Sequence, residues 1–314
     1  MSWNFKAVMS ATTPVAVAGP DSSGNLYVAE QDGFVYKLHG SSHSVYTDIS
    51  GTILVKDGDL YTGILDMTMS PDGERLFVCY LGKTGYAYLA EITLDTKLLN
   101  NVMRLTKPDG GVLKLSFGSD GYLYITTPDM SKAGLGQNLS SLSGKVLRVD
   151  VSSPGRYTTP PDNPFYGYQG LREEIYAYGL HSPKSIVFDN SGLGYVVDER
   201  KVYPLGRGYN YGWDSDPSHI PGGAYLNKKD KVTGVTESIY SWNGEGPSAG
   251  GLPMPNGFVV GDTYRRLIQI LGGEESVYSI QSLIQGFSMA GGTPYILLRD
   301  SLNTGSTGRV FTLA

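Results

Sequence analysis

Apolar residues occur along the chain in short runs separated by turns, and this pattern predicts β-strands. One stretch begins with the strand-like run Ile175–Tyr178, passes a turn at Gly179–Pro183, and continues with the apolar run Ile186–Phe188. After a tight turn, a further strand-like run follows at Gly194–Val197. The best helical candidate, Ile280–Gln285, is short and half polar, so no long helix is predicted.

Six segments repeat the order turn, β-rich run, turn, β-rich run, with a spacing of roughly 40 to 70 residues. Radial stacking buries the faces that one such unit leaves open and keeps the sheet edges short. We therefore predict an all-β fold, a six-bladed β-propeller, with residues 1–314 in a single domain; a β-sandwich lacks this repeat. The segments are Gly24–Leu38, Gly73–Ile92, Gly121–Asp150, Ser185–Glu199, Gly257–Leu271 and Thr293–Leu313.

The segment around Trp3–Met9 is predicted to complete the last blade and so to close the ring. The longest irregular stretches are Ser152–Arg172, Asp214–Thr233 and Asn243–Asn256. Long loops in a compact domain are often functional, and in a propeller they shape the mouth of the central channel. Aromatic rings in or beside these loops are suited to stacking on a sugar or contacting a protein, although most such rings pack their own loop.

Composition narrows the range of partners. The chain has 42 Gly, 17 Pro and 23 Tyr, which fits many turns between short aromatic-rich strands. A net charge of -5 gives no basic footprint, so no nucleic-acid partner is expected. No apolar stretch reaches the ~20 residues of a membrane helix, so no membrane insertion is expected. Cys79, the single cysteine, is expected to be buried and cannot form an intrachain disulfide.

The order of elements from Glu174 to Trp213 resembles the quinoprotein glucose and aldose sugar dehydrogenase family and the related propeller of hedgehog-interacting proteins. Further segments are similar to family phrases in the same order: Gly63–Met67, Leu115–Tyr124, Gln137–Asp150 and Pro161–Phe165. This resemblance implies the propeller fold. It also implies hydride transfer from a sugar's anomeric carbon to pyrroloquinoline quinone (PQQ), with a histidine base, a calcium ion, and Arg and Lys side chains on the cofactor's carboxylates.

The sequence departs from the family where that chemistry is carried out. The family's histidine aligns with Pro108 or Gly110, depending on the register, and neither residue is a base. An arginine of the family is replaced by His181, which is either a substitute base or, as we favour, a hydrogen-bonded residue at the channel mouth. The family's calcium loop is shortened here, and it retains Asp198 and Glu199 as the candidate metal ligands.

The family-equivalent cofactor positions hold Lys114, Tyr61, Tyr264 and Arg265 in this sequence. The closely spaced arginine pair that precedes the last blade in the family is missing, because Gln285–Met289 contains no cationic side chain. Losing a general base alone costs about 10²- to 10⁴-fold in rate. Several such losses around one site argue against retained quinone chemistry, so no cofactor is predicted.

The sequence therefore favours a non-catalytic binding or structural propeller that contacts a protein or glycan partner through its loop face. Its first residues lack the apolar core of a signal peptide, yet we expect a surface, extracellular or virion setting over the cytoplasm. One alternative is a divergent PQQ-dependent aldose dehydrogenase that uses PQQ and calcium, with His181 as base. A second is a calcium-dependent hydrolase of the lactonase kind, with channel carboxylates as ligands.

Overall fold

The computed structural model describes residues 5–130, 134–213, 235–244, 247–264, 266–271, 274–301 and 306–313. These residues form six four-stranded antiparallel sheets, and no helix occurs among them. Each of the six segments predicted from the sequence repeat contributes two strands to a different sheet. The all-β, six-bladed β-propeller is confirmed, whereas the assignment of residues 1–314 to one domain stays a prediction.

The chain starts with β1 (Phe5–Thr12), which belongs to the last sheet. The first three sheets then follow in chain order, and within each sheet neighbouring strands are consecutive in sequence. Their strands are β2 (Pro14–Ala18), β3 (Leu26–Glu30), β4 (Phe34–His39) and β5 (Ser42–Asp48); β6 (Ile64–Met69), β7 (Arg75–Leu81), β8 (Ala87–Thr93) and β9 (Leu99–Arg104); and β10 (Lys114–Phe117), β11 (Leu123–Thr127), β12 (Lys145–Val149) and β13 (Ile175–Tyr178).

The remaining three sheets keep the same order, except that β1 forms the outer edge of the sixth. Their strands are β14 (Pro183–Phe188), β15 (Gly194–Asp198), β16 (Lys201–Pro204) and β17 (Tyr240–Ser241); β18 (Ser248–Met254), β19 (Gly257–Asp262), β20 (Arg266–Leu271) and β21 (Glu274–Ser279); and β22 (Leu283–Ala290), β23 (Thr293–Arg299) and β24 (Thr307–Leu313).

The first strand of each blade lies innermost. Strand β2 packs against β6 and β22, and the contacts continue from β6 to β10, β14, β18 and β22, so that six inner strands surround a central channel. We call the end of the ring where these inner strands begin the first face, and the opposite end the second face. Loops that follow the outer strand of one blade and precede the inner strand of the next therefore gather on the first face.

Strands in the middle of the blades are buried on both sides because neighbouring sheets cover them. All seven residues of β7 are buried, including Cys79, which confirms the prediction for this cysteine. The outer strand β21 shows the opposite pattern, since five of its six residues are exposed. The apolar runs in the sequence therefore correspond to inner and middle strands, and the polar runs correspond to strands at the outer circumference of the ring.

The sequence predicts an irregular stretch at Asn243–Asn256. This prediction is wrong for residues 248–254, which form the inner strand β18. Glycine and proline in a strand interior normally weaken a strand prediction. Here the glycine is needed: Gly250 has a φ of 93°, and a Cβ at this position would lie 2.4 Å from the Ser185 Oγ of the neighbouring inner strand. The backbone N–H of Gly251 donates to the same hydroxyl at 3.0 Å. Close packing around the channel explains the irregular sequence.

The ring is closed by β1, which pairs antiparallel with β24 from Phe5 opposite Leu313 to Thr12 opposite Thr307. Strands from the two ends of the described chain thus share one sheet, which confirms the predicted closure; Trp3 lies outside the described residues. Met9 is buried in the core between the sixth and first sheets.

Replacement of Met9 by alanine is expected to lower the free energy of unfolding by about 2 to 4 kcal/mol, because it opens a cavity at the closing strand. Chemical denaturation measures this change. The matched control is Ser10→Ala on the exposed side of the same strand, for which we expect a change within about 0.5 kcal/mol. Equal losses in the two variants would show that closure does not depend on this packing.

Candidate functional site

Two cavities of about 40 Å³ each lie along the central channel. The one nearer the first face, here called the first-face cavity, is lined by residues at the starts of the inner strands and by the loops above them. Apolar side chains such as Val15, Val112 and Ile284 form part of its wall. Its polar lining residues are Tyr61, Lys114, Lys184, Ser248, Thr263 and Gln285.

An ion pair lies inside the channel. The Lys114 Nζ is 3.5 Å from Asp66 Oδ1, and both side chains are largely buried. The other carboxylate oxygen of Asp66 accepts the backbone N–H of Leu115 at 2.7 Å. Burial raises the pKa of Asp66, and the charge of Lys114 opposes that rise. Since Lys114 lines both cavities while Asp66 lines only the one nearer the second face, this pair separates them.

A second lysine faces the first-face cavity. Lys184 is 8% exposed, and its Nζ lies 5.1 Å from the centre of the Tyr61 ring. No described residue accepts a hydrogen bond from this ammonium group. Burial lowers the pKa of Lys184 to about 8, with Asp198 and Glu199 opposing the change and the nearby charge of Lys114 adding to it. The residue is therefore a desolvated cation that retains hydrogen-bond donors for a ligand.

Gln285 contributes a further donor to this cavity. The Nη1 of Arg299, which is fully buried, donates to Gln285 Oε1 at 2.9 Å. Because a guanidinium group can only donate, the amide oxygen of Gln285 must face it, which leaves the amide NH₂ available to the cavity. Burial lowers the pKa of Arg299 to about 10.

His181 lies on the rim of the first face. Its Nδ1 is 2.6 Å from Glu199 Oε1, and its ring stacks on Trp213 with 3.6 Å between centroids. Glu199 has a φ of 51°, an uncommon conformation for this residue type. The neighbouring Asp198 accepts the backbone N–H groups of His181 and Ser182 at 3.0 and 2.6 Å. These hydrogen bonds fix the turn that carries His181, while burial raises the pKa of Asp198 to about 6.

Lys145 anchors the rim loop, residues 128–144, of which the structure describes all but 131–133. Its Nζ donates to the backbone oxygens of Leu135, Gly136 and Ser143 at 2.9, 3.0 and 2.5 Å. Gln137 in the same loop donates to the backbone oxygen of Trp213 at 2.8 Å. Three backbone oxygens thus hold the buried Lys145 side chain, and these hydrogen bonds fix the loop beside Trp213.

The structure brings together some of the residues predicted from the sequence. Tyr61 and Lys114 meet in the first-face cavity. His181, Asp198 and Glu199 meet on the rim, and none of them is among the described residues that line either channel cavity. Tyr264 is 53% exposed, and Arg265 lies outside the described residues.

Two cavity residues were missed. Lys184 precedes the apolar run Ile186–Phe188 at the start of an inner strand, which is a usable signal in a propeller because inner strands begin at the channel mouth. In the sequence, Gln285 begins a stretch without a cationic side chain, and nothing there indicates a role in the cavity. Its orientation depends on Arg299, which comes from the next strand of the sheet, so the sequence alone does not reveal this donor.

The candidate metal ligands do not converge. Both oxygens of Asp198 accept backbone N–H groups, and Glu199 contacts His181. Among the residues that the structure describes, there is no group of three or more His, Cys, Asp or Glu side chains arranged to hold a metal ion. Asp129, in the rim loop, accepts the N–H of Gly136 at 2.7 Å.

A family model for Glucose / Sorbosone dehydrogenase matches residues 12–265. The chain therefore belongs to this family, and the resemblance drawn from its motifs is confirmed. Among the residues that the structure describes, no helix is long and apolar enough to cross a membrane.

Three similar proteins illustrate the range of the family. The HIPL1 protein of Arabidopsis thaliana is 31% identical over 172 residues, which cover 44% of this chain and 25% of HIPL1. The aldose sugar dehydrogenase YliI of Escherichia coli strain K12 is 25% identical over 219 residues, 62% of this chain and 58% of YliI. The chain thus spans less than two thirds of these curated relatives. The PQQ-bound aldose sugar dehydrogenase of Streptomyces coelicolor shares the fold, with a TM-score of 0.75 at 18% identity over 99% of this chain and 98% of that one.

Replacement of Lys114 by methionine is expected to lower the free energy of unfolding by about 3 to 5 kcal/mol, because Asp66 is left as a buried charge without its cation. The loss should be smaller at acidic than at neutral pH. Burial already raises the pKa of Asp66, and a carboxyl with a raised pKa favours the folded state at low pH and loses that benefit as pH rises.

Denaturation of Lys114→Met at acidic and neutral pH tests this expectation. The double variant Lys114→Met/Asp66→Asn should recover part of the stability, because the buried charge is gone. The exposed Lys201→Met serves as the control for loss of a lysine. A single variant as stable as the control would rule out a structural role for the ion pair.

Proposed function

We propose that the protein is a non-catalytic binding propeller, built on the sugar dehydrogenase scaffold, that contacts a partner through its first face. One observation carries this proposal. The described residues that line the first-face cavity include no His, Asp or Glu. The loop in which Pro108 and Gly110 align with the family's histidine contributes Val112 to the cavity. Oxidation of a sugar hydroxyl needs a proton acceptor beside the reacting carbon, and the described wall holds neither an imidazole nor a carboxylate.

The family's cofactor also fits the cavity poorly. Lys114, Lys184 and Gln285 are suitable donors for carboxylates. However, a cavity of about 40 Å³ has room for roughly three water molecules, whereas ligand pockets usually measure about 300 to 1,000 Å³. Carboxylates are common calcium ligands, and among the described residues no group of three or more His, Cys, Asp or Glu side chains is arranged to hold such an ion. These residues therefore fit part of a quinone cofactor but not the whole group.

The rim supports a binding role. Met130, Trp213 and Tyr264 expose large side chains on loops of the first face, with exposed fractions of 37%, 37% and 53%. Exposed apolar side chains of this size are candidates for a contact surface. Aromatic rings above hydrogen-bond donors favour a glycan over a flat protein surface, because rings stack on sugar faces while donors bind hydroxyl and acidic oxygens. A glycan is therefore the partner we favour.

Titration of the protein with PQQ and calcium, followed by a dye-linked assay with aldoses, tests the non-catalytic claim. We expect neither saturable binding nor sugar-dependent dye reduction. Saturable binding with turnover would make the protein a divergent dehydrogenase instead. In that case we expect Lys184, whose pKa burial lowers to about 8, to act as the base, so the rate should rise with pH through about 8.

A glycan array with fluorescently labelled protein tests the partner claim. The variant Trp213→Ala should lose binding by about tenfold or more, because it removes the exposed ring on the first face. Tyr166→Ala is the matched control, since Tyr166 exposes an aromatic ring in the long loop between β12 and β13 on the second face. Glycan binding that falls equally in both variants, or that is absent from the wild-type protein, would refute a first-face glycan site.

A further inference from the structure

The first-face cavity is a cluster of donors without an acidic side chain among its described lining residues. Lys184 has donors without a described acceptor, and the amide NH₂ of Gln285 is directed away from Arg299. Lys114 adds a second ammonium group, which pairs at 3.5 Å with Asp66 of the neighbouring inner strand, a residue that lines only the other cavity. A charged ammonium in such a place is stable only if an anion or water completes its hydrogen bonds.

We propose that this cavity binds a carboxylate group, held by the Lys184 ammonium and the Gln285 amide, with Lys114 as the second cation. The inference rests on the proposed function, because a quinone cofactor would occupy the same space. It goes beyond that function in naming the chemistry of the ligand and the residues that select it.

Size and shape favour a carboxylate. The cavity has room for roughly three water molecules, which matches one carboxylate and the carbon that bears it. Each of the two carboxylate oxygens can accept a hydrogen bond from a different donor. Hydrogen bonds to an ionised group are stronger than those between neutral groups. The apolar wall formed by Val15, Ile64 and Ile284 suits a carbon substituent. A cation is excluded by the two lysines.

Two sources offer this group: a free small carboxylate, or the carboxylate of an acidic sugar whose ring would lie at the rim. Both share the chemistry that Lys184 and Gln285 recognise. They differ in what the rim adds, because only a sugar acid is long enough to gain contacts above the cavity. Comparing the two kinds of ligand in one assay therefore separates the sources.

Proton uptake gives an independent readout. The charged groups that act on Lys184 are Asp198, Glu199 and Lys114, and the Tyr61 ring packs against it. Its pKa of about 8 should rise when an anion binds, because the anion favours the charged form. Affinity is therefore expected to be full below about pH 8 and to fall as pH rises beyond it, with protons taken up on binding near that pH.

Isothermal titration of the full chain with sodium acetate, sodium glucuronate and glucose tests the proposal. Both carboxylates should bind and glucose should not, with glucuronate tighter than acetate if the source is an acidic sugar and equal if it is a free carboxylate. Lys184→Met should weaken binding by about tenfold or more, and Lys201→Met, which removes an exposed lysine, should bind as the wild type does.

Repeating the wild-type titration near pH 8 in buffers of different ionisation enthalpy measures proton uptake without any variant. No saturation with either carboxylate at millimolar concentration would overturn the proposal, as would binding that is unchanged in Lys184→Met. Such a failure would leave the non-catalytic claim standing, because that claim is tested by quinone binding and dye reduction. Conversely, saturable quinone binding would remove the basis of both.

Discussion

Pairing of β1 with β24 joins strands from the two ends of the described chain, and the rest of the ring depends on it. Without β1 the strand β24 would become the outer edge of the sixth sheet, and the direct chain connection from that sheet through Thr13 to β2 of the first sheet would be lost. The radius of the channel follows from this closure, because six inner strands can surround it only if the last sheet packs against the first. The size of the first-face cavity thus depends on the packing of the sixth sheet against the first and on the pairing of β1 with β24.

Within the channel, the balance of charge distinguishes this chain from the chemistry implied by its family. The pair of Lys114 and Asp66 closes the passage, and Lys184 brings a second cation to the first-face side. A histidine base is absent from the described wall, and each of the polar side chains in that wall carries a hydrogen-bond donor. A scaffold that positions donors without a base can hold an acidic ligand but lacks the group that would remove a proton from a sugar. Under the proposed function, single side chains account for the difference between binding and catalysis.

Much of the fold was predictable from the sequence, because periodicity and turn residues report local structure. Strand β13 has the bounds predicted for it, residues 175–178, and the six repeats fall in six sheets. Strand β18 was not predicted because its glycines are typical of loops. In the structure Gly250 is required for close packing against Ser185, and the sequence does not reveal this contact. The site was only partly predictable. Tyr61 and Lys114 came from the family resemblance, whereas the orientation of Gln285 depends on Arg299 across two strands.

A crystal structure of the protein grown with PQQ, calcium and sodium acetate together tests the central claim most directly, since the quinone, supported by calcium, then competes with acetate for one channel. The account predicts acetate in the first-face cavity, with its oxygens within hydrogen-bonding distance of Lys184 Nζ and the Gln285 amide nitrogen, and no quinone in the channel. A quinone ring in the channel with a calcium ion coordinated beside it would contradict the account and identify the protein as an active member of the dehydrogenase family.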